Sequence, residues 1–106
     1  MGAWGTEPWE NDSAGDFCYK LGKMPITTWI EEGLNSDYEE QRIAAFVLSQ
    51  IGRNFIYPFD LREKHLNWAI KNLKTIRGDQ VWIDLWKNKR EIKAKLDAEI
   101  KNLESL

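Results

Sequence analysis

A chain of 106 residues has room for one hydrophobic core and not for two. Its 42% hydrophobic and 30% charged residues are those of an ordinary globular protein, which excludes a disordered or fibrous chain. The net charge of −2 hides a split: residues 1–60 hold ten acids against four bases, and residues 61–106 hold eleven bases against seven acids.

Residues 1–11 contain Trp4, Trp9, Gly2, Gly5 and Pro8 and read as an extended, turn-rich arm. Asn11, Asp12 and Ser13 then offer helix-capping side chains. Behind them Ala14, Phe17, Cys18 and Leu21 follow helical spacing, with Gly22 as a stop. Pro25 opens a second short helix with Ile26, Trp29 and Ile30 on one face and Gly33 near its end. Ser36 and Glu39 stand as a capping box before a helix over about 37–51. Ile43, Ala44, Phe46, Val47, Leu48 and Ile51 leave that helix little polar face, so it is expected at the centre.

Asn54 to Phe59 reads as an aromatic loop packed beneath its neighbours. Asp60 is expected to cap a helix over 61–76, whose face runs Leu66, Ala69, Leu73 and Ile76. Gly78 and Asp79 supply a stop and a new cap. Val81, Trp82, Leu85 and Trp86 make a short fifth helix, the two tryptophans one turn apart at core spacing. The last helix, about 89–104, aligns Ile92, Leu96, Ile100 and Leu103, with Glu91–Lys95 and Asp97–Lys101 as pairs on its outer face. No segment alternates with period two for long enough to form a strand. The expected fold is all-α: one domain over 1–106, a compact bundle of five to six helices over 12–106 with the arm over 1–11. Six tryptophans in so short a chain must largely fill its core, since each aromatic buries roughly 150–250 Å².

Candidate chemistry is sparse. His65 is the sole histidine and is expected at the edge of its helix. Cys18 is the sole cysteine and is expected as a small core hydrophobe, so no internal disulfide and no cysteine metal cluster can form. A Cys18–His65 pairing has no motif around it. Glu10, Asp12 and Asp16 cluster, and the last two share a helix face where a basic partner or a hard cation can sit; capping and dipole roles account for the same residues. No cofactor or metal is expected, and no enzyme activity.

The arm carries the most distinctive pattern. Met1-Gly2-Ala3-Trp4-Gly5-Thr6, Pro8-Trp9-Glu10-Asn11-Asp12, Ala14 and Asp16-Phe17 resemble the opening of the bacterial domain-of-unknown-function family 4259, in which W-G and E-N-D recur at this spacing. Trp9 and Phe17 exchange one aromatic for another relative to that pattern, and Glu7 stands where glycine is common. The resemblance implies a bacterial, cytoplasmic helical protein and brings no activity. Read physically, Trp4, Gly5, Trp9, Asn11 and Phe17 are expected to form a structural clasp.

Function is therefore expected to reside in binding. An acidic front half attracts a basic protein, and Glu10, Asp12, Asp16, Glu31, Glu32, Asp37, Glu39 and Glu40 are the candidate contacts. The basic half is laced with Asp84, Glu91, Asp97 and Glu99 and makes a poor phosphate stripe, so nucleic acid is not expected as a partner. No stretch approaches the ~18 apolar residues of a membrane span. The leading expectation is an immunity-type protein that neutralises a basic toxin domain in the cytoplasm. An interaction module or homodimeric scaffold is the alternative.

Overall fold

The computed structural model describes residues 5–52 and 57–106. Among them lie six α-helices: α1 (Asp12–Tyr19), α2 (Ile26–Leu34), α3 (Tyr38–Ile51), α4 (Phe59–Arg77), α5 (Gln80–Ile83) and α6 (Lys89–Glu104), with a 3₁₀ turn at Lys20–Lys23. No strand occurs among the described residues. The Cα radius of gyration is 13.2 Å, close to the ~13 Å of one compact domain of this length.

α3 is central as its composition requires, touching α1, α2, α4 and α6. Ile43, Ala44, Ala45 and Leu48 are all buried. α2 returns against α3 as a helical hairpin, burying Trp29, Ile30 and Leu34. At Gly33 the two helices come together so closely that an added Cβ would lie 2.6 Å from the Ala44 Cβ and 2.7 Å from the Phe17 ring. α4 and α6 bury matching rows, His65, Ala69, Leu73 and Ile76 against Ile92, Leu96, Ile100 and Leu103. They run antiparallel, as the outer pairs Arg77–Asp97 (2.9 Å) and Lys74–Glu104 (3.2 Å) require.

Several expectations shift. The cap of α3 is Asp37, one residue after Ser36: its carboxylate accepts the Glu40 N–H at 2.9 Å, and the Ser36 carbonyl instead accepts from the Gln41 side chain. α4 starts two residues earlier than expected, with Pro58 at its cap position and no side-chain cap, so Asp60 sits in the first turn. Phe59 consequently leaves the expected loop and is 85% exposed; Asn54 to Ile56 lie outside the described residues. Val81 and Leu85 face solvent because α5 stops at Ile83 after one turn, leaving Trp82 and Ile83 as its buried pair. Trp86 is half-buried against the core. On α6 the direct contacts reach other elements: Asp97 binds Arg77 on α4, Lys95 binds Glu7 and Glu91 accepts from Thr6, while Glu91 still acts on Lys95 through its charge.

The crossing at Gly33 yields a first prediction. Gly33→Ala gains up to ~1 kcal/mol of helix propensity and forces a methyl into a packed contact, at a cost of about 1–3 kcal/mol. The net is expected to be a lower urea midpoint, partly recovered by adding Ala44→Gly. A midpoint that rises with Gly33→Ala alone would show that the helices are free to separate.

Candidate functional site: an acidic corner and its supports

The eight candidate carboxylates do not form one surface. Glu10 belongs to the arm and Asp12 opens α1. The Glu10 Oε1 accepts the Glu7 N–H at 3.1 Å, and its carboxylate lies so close over Gly5 that a Cβ there would meet it at 2.5 Å. A side chain at Gly5 would displace that flexible carboxylate. Asn11 turns the chain into α1: its Oδ1 accepts the Ala14 N–H at 2.7 Å while its amide donates to the Pro8 carbonyl at 3.2 Å. Asp12 follows in the first turn of α1. Trp9 lies against Phe46 with ring centroids 4.9 Å apart and stays 44% exposed. Trp4 lies outside the described residues.

The arm is strapped down by charge. Arg42, buried on α3, donates to both carboxylate oxygens of Glu99 on α6 (2.5 and 3.1 Å) and to the Thr6 carbonyl at 2.8 Å. Lys95 pairs with Glu7, and the Thr6 hydroxyl donates to Glu91 at 3.0 Å. Burial pushes the Glu99 carboxyl above its ordinary 4.5, against the pull of Arg42 beside it.

Glu31 is drawn inward. Its carboxylate meets His65 Nε2 at 2.7 Å, and His65 Nδ1 meets the Tyr57 hydroxyl. A carboxylate accepts, so in the neutral ring Nε2 carries the proton and the tyrosine O–H donates to Nδ1. His65 is completely buried, a correction to its expected place at a helix edge: the row His65, Ala69, Leu73 and Ile76 is the buried face of α4. Both ring nitrogens are occupied, which leaves neither for Cys18. The thiol is itself half-buried against the core, and burial raises its pKa above 9.0. Burial, then the Glu31 charge, drives the Tyr57 hydroxyl well above 10, so it stays protonated and keeps donating.

The remaining acids gather at one end of the α2–α3 hairpin. Glu32 closes α2, and Asp37, Glu39 and Glu40 open α3. The Glu40 carboxyl is raised above 4.5 by burial and by neighbouring Asp37, while Lys20 pulls it down. Lys20, the cap at the end of α1, thus lies within electrostatic reach of this corner, and Asp16 is exposed one turn earlier on α1. A further acid that the sequence presented only as a cap joins them: Asp79 accepts the Trp82 N–H at 3.1 Å and the Tyr38 hydroxyl at 2.9 Å, which together hold it below 3.8. The edge contact of Tyr38 with Trp82, 5.8 Å between centroids, fixes α5 beside the corner.

Ion pairing is uneven. Arg42–Glu99 joins α3 to α6, and Lys74–Glu104, Arg77–Asp97, Lys89–Asp84 and Lys95–Glu7 lie on the arm or between α4 and α6. Asp16, Glu32 and Glu39 enter no ion pair among the described residues. No group of three or more histidine, cysteine or acidic side chains able to hold a metal occurs among the described residues. No described helix is long and apolar enough to cross a membrane. Compared with family models, curated proteins and solved structures, the chain finds no match in any of the three.

Two outcomes follow. Tyr57→Phe removes the donor from a nitrogen sealed against water, and is expected to cost about 1–3 kcal/mol in denaturant unfolding. No loss would mean that His65 finds another donor. The Tyr38–Asp79 bond sets a pH dependence. Asp79 is depressed in the folded state, so its contribution is full above pH 3.8 and is lost as pH falls through the lower folded value. The stability difference between wild type and Tyr38→Phe is expected to be constant near neutrality and to close on acidification, as read from urea midpoints against pH. A gap that widens in acid would reverse the assignment.

Proposed function

We propose that the protein is a non-catalytic binding protein of the immunity type, in which the acidic corner engages and neutralises a basic toxin domain in the bacterial cytoplasm. The observation that carries this reading is the set of unpaired carboxylates. Glu32 and Glu39 stand at one end of the hairpin and Asp16 is exposed on α1, all three outside any ion pair among the described residues, whereas Glu7, Asp84, Asp97, Glu99 and Glu104 are matched to bases. Unpaired like charges repel one another, and that repulsion is relieved when a cationic surface covers them. The corner stands on well-anchored supports: the capped start of α3, the Tyr38–Asp79 bond and the stacked Phe17–Trp29 pair at 4.6 Å. A preformed charged surface of this kind chiefly accelerates encounter. The resemblance of the arm to family 4259 supports the bacterial setting. The working division is then a strapped, structural arm and a free, functional corner.

The test pairs the protein with the basic toxic domain encoded beside it. Co-expression is expected to restore growth of cells producing that domain. The variant Asp16→Lys/Glu32→Lys/Glu39→Lys is expected to slow association by at least about tenfold at low salt, with little change in dissociation. Equal killing with and without the protein would sink the reading. Undiminished association by the triple variant would move the contact to another face.

A further inference from the structure

The start of α4 carries a patch that the acidic corner does not use. Phe59, the first residue of the helix, is 85% exposed. Beside it a groove of about 340 Å³ runs between α4 and the end of α6, lined by Leu66, Ile70, Leu103 and Leu106. Apolar cavities of about 150 Å³ already take up a benzene ring, so the groove is wide enough for a phenyl side chain.

Three charges share that lining: Glu104, which pairs with Lys74, and Arg62 and Glu63. The Arg62 Nε–H is closed off from solvent and has no acceptor among the described residues. Glu63 is exposed and enters no ion pair. Consecutive residues on a helix do not face one another, so the two cannot satisfy each other within one chain.

The patch thus presents an aromatic knob, a hole of mixed apolar and polar lining, and two opposite charges outside any ion pair. A two-fold interface asks for that combination, because each surface must complement itself and every contact occurs twice. We propose that the chain forms a two-fold dimer through this patch, with Phe59 of each copy seated in the groove of the other and Arg62 of each copy bonded to Glu63 of the other. A foreign apolar peptide meets the knob and hole less well, since nothing then requires both on one patch. None of the corner acids lines the groove, so the inference stands apart from the proposed function.

Sedimentation equilibrium of the intact chain from micromolar to millimolar concentration tests it. The expected result is reversible association toward twice the chain mass. Phe59→Ser, a change at an exposed side chain, is expected to weaken association about a hundredfold because the residue counts twice in each dimer. Arg62→Glu and Glu63→Arg are each expected to weaken it about tenfold, and the double variant to recover it, since the reversed charges pair again. Thermal melts establish that the variants remain folded. A monomer at every concentration overturns the proposal, as does a dimer indifferent to Phe59→Ser. A double variant no stronger than its parents overturns the Arg62–Glu63 pairing.

Discussion

The crossing of α2 and α3 at Gly33 is the constraint from which the remaining packing follows. Without a side chain there, Ala44 and the Phe17 ring fill the space between the helices. Phe17 then lies flat on Trp29, with 22° between the rings, and its carbonyl accepts the buried indole N–H at 2.9 Å. The large apolar surface of Trp29 is buried only because that N–H finds a partner, since an unmatched donor offsets much of what burial contributes. One close contact thereby fixes α1, α2 and α3 together and leaves α3 enclosed.

An enclosed helix makes its charged residues consequential. Arg42 faces inward from α3, and a buried guanidinium is tolerated only when its N–H groups are met. Glu99 meets it in two places and the Thr6 carbonyl in a third, so the same side chain joins the central helix, the last helix and the arm. His65 performs the equivalent task on the other side, joining α4 to α2 through Glu31 and to the segment before α4 through Tyr57. Such groups add less net stability than their short distances suggest, because desolvation opposes them. What they supply is uniqueness: a rival packing of the same apolar faces would strand a buried charge or a buried imidazole.

Much of this was legible in the sequence. Helical spacing located every helix, and the row Ile92, Leu96, Ile100 and Leu103 was read with its burial. Asn11 and Asp79 as caps, Gly52 and Gly78 as stops, and the central place of α3 followed from local chemistry. The misreadings share a physical cause, which is that local signals were given preference over partners distant in sequence. His65 sits between Lys64 and Leu66 and reads as an edge residue, yet its partners are 34 and 8 residues away. Lys95 and Asp97 read as helix-surface pairs, yet Glu7 and Arg77 claim them. Ser36 and Asp37 are both competent caps, and nothing local decides between them. Of the acidic candidates, composition found the set but not its division into arm, buried relay and corner.

That division also bears on how far the corner's charge reflects function and how far it reflects helix chemistry. Asp37, Glu39 and Glu40 open a 14-residue helix, where the unpaired N–H groups and the dipole favour negative charge by roughly 0.3–1 kcal/mol each at an exposed position. Their presence has a sufficient structural reason. Glu31 and Glu32 close α2 instead, where the dipole disfavours an acid and the last turn contains no base. Glu31 is compensated by His65, while Glu32 is exposed, unpaired and at the unfavourable end of its helix. Folding alone would select a lysine or a neutral side chain at that position. Within the corner, Glu32 is therefore the residue for which a cationic partner gives the most direct physical account, and the first-turn acids of α3 are its pre-existing setting.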